Sequence, residues 1–189
     1  HNNVLSKAMK SFKGVMPLPF NTIIKGGEKS AEDNLRGWLN DNKERLSGVW
    51  DKINNKREYG IRIFYDKSRL MQESSGNAEI KRIEKSQEGK GEGLSYLLKS
   101  KASYQISEIA KRTINQFKQK FYDDLKSLTE DVRVTISRIS LDEEKDLLLN
   151  LSILVDETRT DEIRKILEKN KGFSFELVGP FAPYSFVEK

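Results

Sequence analysis

Apolar positions along the chain repeat with two different periods, and the switches between them mark out the elements. Val4, Leu5, Ala8, Met9 and Phe12 stand three and four apart, the spacing of a short amphipathic helix over residues 2–12. After Gly14, the stretch Val15 to Ile24 contains Pro17 and Pro19. Proline has no amide to give a strand ladder, so this piece reads as an edge strand or an irregular connection. Gly26 and Gly27 break it. Ser30 with Asp33 resembles a capping box and opens a helix over 31–54, whose stripe is Leu35, Trp38, Leu39, Leu46, Val49, Trp50 and Ile53. At about 1.5–3 kcal/mol for each fully buried side chain, that stripe predicts a packing partner that takes in both tryptophans.

From residue 59 the period becomes two. Tyr59, Ile61, Ile63 and Tyr65 share one face of a predicted strand, with Gly60, Arg62 and Phe64 on the other. Residues 67–87 read as one or two short charged helices divided near Gly76, and Gly89, Gly91 and Gly93 as an entry to a long helix. That helix carries Leu94, Leu97, Leu98, Ile106, Ile109, Ala110, Phe117, Phe121, Leu125 and Leu128, with a break expected near Ser100–Ser103. Val132, Val134 and Ile136 alternate with polar residues in a second strand, and the acidic run Leu141 to Glu144 makes a turn. Leu147, Leu149, Leu151, Ile153 and Val155 form a third strand, central because Leu148 and Leu154 lie on its other side. Thr160 is the expected cap of a helix with the stripe Ile163, Ile166 and Leu167, ended by Gly172. Phe173, Phe175 and Leu177 make a fourth strand that Gly179 and Pro180 stop.

The order from residue 57 is strand, helices, strand, strand, helix, strand. This predicts an α+β fold of the split βαβ, ferredoxin-like kind (βαββαβ), with an enlarged first crossover and the helices on one face of a four-stranded antiparallel sheet.

Composition narrows the chemistry. The 189 residues suffice for one large domain or two small ones. There is no cysteine, which excludes disulfides, thiolate catalysis and cysteine-ligated zinc. The single histidine is His1, at an end where chains fray, so it is a poor base or metal ligand. A chain that begins at His1 reads as a fragment or a trimmed product. No apolar run reaches the roughly 18–20 residues of a membrane span and there is no signal-peptide pattern, so the expected location is the cytoplasm. The net charge of +5 is spread through interspersed signs, which reads as a solvated surface before it reads as a nucleic-acid footprint.

Each candidate chemical site has a plainer reading. The glycines of Glu88 to Gly93 are flanked by carboxylates and follow no strand, so they are a helix entry, not a phosphate loop. Asp142, Glu143, Glu144 and Asp146 lack the glycine turn of a calcium loop and read as a solvated hairpin. Asp123 with Asp124, and Glu130 with Asp131, read as helix-surface and turn acids. The third strand has no aromatic or glycine with which to bind RNA, and Tyr59 and Tyr65 are expected in core packing or hydroxyl anchoring. A nucleic-acid-binding ferredoxin-like module is therefore the alternative to protein binding. No nucleophile, base and orienter stand together, so no enzyme, metal or cofactor is expected.

The C-terminal tail, Gly179 to Lys189, is rich in aromatics. Burying Phe181, Tyr184 and Phe186 would gain about 15 kcal/mol gross. Ordering the segment costs about 8–16 kcal/mol. Pro180 and Pro183 lower that cost by stiffening the free chain. Such a tail docks only into preformed pockets, as an interdomain strap or a partner-binding segment formed by Pro180, Phe181, Pro183, Tyr184 and Phe186.

Four stretches in order resemble the gas vesicle accessory proteins of the F and L type. They are Met16 to Ile24 (MPLPFNTII), Glu58 to Asp66 (EYGIRIFYD), Gly93 to Lys101 (GLSYLLKSK) and Gly179 to Val187 (GPFAPYSFV), the last being the most specific. Asn21 departs from the glycine more usual in the family. The resemblance implies a modified ferredoxin-like C-terminal domain with extra helices, preceded by the remainder of an α+β N-terminal domain whose first segment is missing here. It divides the chain into residues 1–55, residues 56–178 with a helical insertion at about 67–128, and a tail, 179–189, packing between the domains. It implies no catalytic residues. The function it implies is assembly, or minor structural membership, of gas vesicles, hollow protein-walled organelles that give buoyancy. The implied partners are the hydrophobic shell protein and other accessory proteins, with no nucleic acid and no membrane, in a cytoplasmic location associated with the vesicles. Oligomeric state is left open.

Overall fold

The computed structural model of the protein describes residues 2–19, 22–66, 92–135 and 145–187, together with Arg82 and Lys85. The expected charged helices of 67–87, Gly89 and Gly91, Ile136 and the acidic turn 141–144 lie outside these residues, apart from Arg82 and Lys85.

The strands are β1 (Lys56–Asp66), β2 (Val132–Val134), β3 (Lys145–Asp156) and β4 (Phe173–Phe181). They form one sheet in the order β2-β3-β1-β4, every neighbouring pair antiparallel. Strand β3 is central, as its apolar residues on both faces predict. The helices are α1 (Asn2–Ser11), α2 (Ala31–Asp41), α3 (Lys43–Ile53), α4 (Glu92–Lys126), α5 (Thr160–Lys169) and the short α6 (Tyr184–Val187).

One face of the sheet carries the main core. Tyr59, Ile61 and Ile63 of β1 and Leu149, Leu151, Ile153 and Val155 of β3 meet Phe121, Leu125 and Leu128 at the end of α4 and its exit, and Ile163 and Leu167 of α5. Phe173 at the start of β4 stands edge-on to Phe117 and Phe121, with ring centroids 4.8 and 5.1 Å away. Tyr59 and Tyr65 anchor this layer through their hydroxyls, Tyr59 to Thr160 Oγ1 at 2.6 Å and Tyr65 donating to Asp146 Oδ2 at 2.9 Å.

Several boundaries differ from the sequence reading. The helix expected over 31–54 is two helices, because the Asn42 side chain donates to the Trp38 carbonyl at 2.8 Å and competes with the helical ladder at that point. Its apolar stripe is only partly covered: Ile53 alone is buried, Leu35, Trp38, Leu46 and Val49 are half-buried, and Leu39 and Trp50 are exposed. The break expected near Ser100–Ser103 is absent, since α4 runs unbroken for 35 residues. Residues 94–126 contain no proline to remove a helical hydrogen bond and no glycine to weaken the helix. Thr160 is the first residue of α5, not its cap. A 3₁₀ turn at Glu157–Arg159 precedes it, capped by Asp156, and the Thr160 hydroxyl donates instead to the Glu157 carbonyl.

Strand β4 passes the expected stop. The register against β1 slips between Glu58 and Gly60, and the chain pairs again at Phe181 opposite Glu58. Gly179 makes this possible with φ of +130°, a conformation that L side chains rarely adopt. A second slip, between Ile63 and Phe64, sets Leu147 opposite Phe64. Leu148 is thereby turned into the main core beside Leu149, and Leu154 alone of the expected pair faces the other side.

Candidate partner-binding surface

The second face of the sheet is built on side chains that alternate with those of the main core: Glu58 on β1, Ser152 and Leu154 on β3, and Arg133 on β2. The tail returns across it. Phe186, 4% exposed, packs with Ile53 and Leu154, joined by Met16, Val49 and Val187. Two cations stand over its ring, Lys52 Nζ at 5.7 Å and Arg133 Cζ at 5.1 Å from the centroid.

A polar latch holds the tail beside this apolar anchor. Glu58 is only 7% exposed, and its carboxylate accepts from the Ser185 backbone N–H at 2.9 Å and from the Ser185 hydroxyl. A buried carboxylate is costly unless such donors reach it. The bonds also satisfy the amide of Ser185 inside α6, a helix too short to satisfy it alone. Neither Glu58 nor Ser185 was singled out from sequence. The available signal was a carboxylate opening the strand pattern Glu58 to Asp66, but its partner lies 127 residues away.

Of the tail residues expected to bind, Phe186 and Pro183 are buried and Tyr184 is half-buried, where desolvation holds its phenol above its ordinary pKa. Pro180 and Phe181 are exposed, Phe181 by 48%. The tail is thus pinned at one end and open at the other.

The N-terminal elements are tied to the sheet by charge. Arg57 donates to the carbonyls of Met9 and Lys13 at 3.3 and 3.0 Å, meeting the C-terminal end of α1 where a cation is favoured. Asp131, expected as an ordinary turn acid, instead receives Lys52 at 2.8 Å and Lys56 at 3.3 Å, joining α3 to the sheet. The other acids are plainer: Asp123 accepts from Gln119 along α4, and Glu130 pairs with Lys126. Asp146 serves Tyr65.

Between the connection after α1, the helices α2 and α3 and the end of the tail lies a cavity of about 400 Å³. Met16, Leu18, Trp38, Leu46, Val49 and Val187 line it, and Arg45 stands at its side with its guanidinium 5.9 Å from the Trp38 ring. Around the N-terminal elements, Val4, Phe12, Ile23, Leu39 and Trp50 are exposed, Ile23 by 76%. The aromatics considered for nucleic-acid stacking, Tyr59 and Tyr65, face α4 and α5 instead. Among the described residues no three acidic or histidine side chains gather as a metal site, and no helix is long and apolar enough to cross a membrane.

The described residues thus define an α+β protein in which one face of a four-stranded antiparallel sheet is packed by helices and the other is strapped by the chain's own tail. The chain belongs to the family described as gas vesicle synthesis protein GvpL/GvpF, whose model matches residues 1–188. It is 24% identical to gas vesicle protein L of Haloferax mediterranei over 99% of this chain and 60% of that protein. It is 25% identical to gas vesicle protein F of Nostoc sp. over 70% of this chain and 52% of that one. The fold matches the crystal structure of GvpF from Anabaena sp. with a TM-score of 0.76 at 21% identity, covering all of this chain and 76% of the other. It matches GvpF from Microcystis aeruginosa with a TM-score of 0.64 at 20% identity, over the same shares.

Proposed function

We propose that this protein is a non-catalytic gas vesicle assembly or minor structural component that binds the hydrophobic shell protein and other accessory proteins. The observation that carries this is the apolar groove of Met16, Leu18, Trp38, Leu46, Val49 and Val187, which opens among exposed apolar side chains in a chain of the gas vesicle family. A hydrophobic subunit awaiting incorporation exposes apolar patches, and a groove of this character covers them until the growing wall takes the subunit. On this reading residues 56–178 are a modified ferredoxin-like domain, supported by the strand order β2-β3-β1-β4 with helical crossovers. Residues 1–55 are the remainder of an N-terminal domain, and the tail straps the two together.

The test is retention of shell protein by the immobilised chain, with Leu46→Asp and Val49→Asp introduced separately into the groove. Retention is expected to fall in both variants while the far-ultraviolet circular dichroism is unchanged. Undiminished retention removes the groove from the reading, and intact vesicles in a strain lacking the gene remove the assembly role.

A further inference from the structure

We propose that the groove takes an amphipathic protein segment whose polar positions are acidic, an inference that rests on the groove being a partner-binding surface and adds the charge of the partner. Opposite signs intersperse along the chain only from Glu28 onwards. Residues 1–27 hold Lys7, Lys10, Lys13 and Lys25 and no carboxylate. They take four of the 34 basic residues and so carry +4 of the net +5, leaving 30 against the 29 acidic residues in the rest. An imbalance of this kind speaks to association and not to the fold. Elsewhere on the surface cations have carboxylate neighbours: Arg36 has Glu32, Arg62 has Glu176, Lys111 has Glu108 and Arg159 has Glu162. Lys7, Lys10, Lys13 and Lys25 are exposed, and among the described residues no carboxylate pairs with any of them.

This basic stretch builds one wall of the groove, through Met16 to Pro19 and Thr22. Lys13 stands three residues before that wall and Lys25 three residues after it, so both its ends are cationic. On α3, Arg45 is the only charged side chain among the described residues that lines the groove. The Trp38 ring and the Asn42 Oδ1, which accepts from Nε at 3.3 Å, steady its guanidinium. Its terminal amino groups meet no acceptor among the described residues. The groove therefore combines an apolar floor with charge of one sign. A segment lying in it fills the floor with aliphatic side chains and sets its own carboxylates toward Arg45, Lys13 and Lys25, whereas a basic segment is repelled. A bilayer is too flat to enter a cavity between two helices and a connection, and a nucleic acid carries anions without an aliphatic body. A protein segment is the occupant that meets both features.

Fluorescence anisotropy tests this with two labelled peptides that share one leucine pattern, one with glutamate and the other with lysine at every polar position. The wild-type chain is expected to bind the glutamate peptide about tenfold more tightly, a preference that shrinks with added salt. Lys13→Glu, Lys25→Glu and Arg45→Glu combined should abolish or reverse the preference with unchanged far-ultraviolet circular dichroism. Leu46→Ser, an uncharged change in the floor, should weaken both peptides. Equal affinity of the wild type for the two peptides, a preference that survives the triple reversal, or binding indifferent to Leu46→Ser each overturns the proposal. So does tighter binding of phosphatidylglycerol vesicles or of single-stranded RNA than of the glutamate peptide, lost in the triple variant, which assigns the charge to a lipid or nucleic-acid surface. Retention of shell protein is read separately. Its absence beside an intact glutamate preference removes the shell protein as partner, and its presence beside equal peptide affinities removes the acidic character inferred here.

Discussion

Removing the aromatic anchor of the tail separates a cooperative strap from a decorative one. Phe186→Ala deletes a ring that is 4% exposed among Ile53, Leu154 and Val187, a truncation that costs about 3–5 kcal/mol where the site does not collapse. The lost contacts with Lys52 and Arg133 are part of the same change, at about 0.5–1 kcal/mol each. Ser185→Ala takes one hydrogen bond from the buried Glu58 carboxylate, worth about 1.5–3 kcal/mol for a charged acceptor. Both changes act on one strap, so their costs are not independent: once the tail has left the sheet, removing its second attachment costs nothing more. The double variant is therefore expected to lose clearly less than the sum of the single losses. Urea unfolding of the four proteins measures this, and limited proteolysis reports whether cleavage within 182–187 rises in the single variants. Strict additivity with an uncut tail, or a Phe186→Ala loss below about 0.5 kcal/mol, would falsify the latch.

Three further outcomes are expected. The Tyr65 phenol is pushed up to about 12, first by burial and then by its hydrogen bond to Asp146 and that carboxylate's charge. The unfolded phenol loses its proton near its ordinary value, so the unfolded state binds fewer protons above about pH 10, and stability falls between about pH 10 and pH 12. Tyr65→Phe should flatten the alkaline fall in melting temperature; an unchanged slope would contradict the assignment. Gly179→Ala is expected to destabilise by more than about 1 kcal/mol, because its φ is +130° and the new Cβ would stand 2.9 Å from the Glu58 carbonyl oxygen. Thermal unfolding measures it, and a neutral result would mean that the β4 bend is relaxed. Arg57→Met should free the C-terminal end of α1 by removing its bonds to Met9 and Lys13, seen as faster amide exchange in residues 2–13 with β1 still protected. Equal protection of α1 in both proteins would show that packing alone holds it.

What the chain determines by itself is the identity of most elements and the faces they turn inward. Alternation in Tyr59 to Tyr65 and Leu149 to Val155, and the three-and-four spacing of Phe117, Phe121 and Leu125, act between near neighbours, and the structure keeps them. Tyr59 and Tyr65 went where their hydroxyls and the pattern directed them, into the layer under α4 and α5. Of the tail's aromatics, Phe186 packs with Ile53 and Leu154.

Tertiary structure decided what depends on distant partners. The slip opposite Ile63 and Phe64 sends Leu148 into the main core, and no local period encodes it, because a register is a relation between two strands. Phe181 and Phe186 are the same residue type five positions apart. One is exposed and the other buried only because Ile53, Leu154, Lys52 and Arg133 converge on the second. The half-covered stripe of α2 and α3 reads from sequence as a buried helix face, and among the described residues it lines a groove instead. Periodicity states which side of an element is apolar. Whether another surface arrives to cover that side is settled by how the distant parts of the chain pack together.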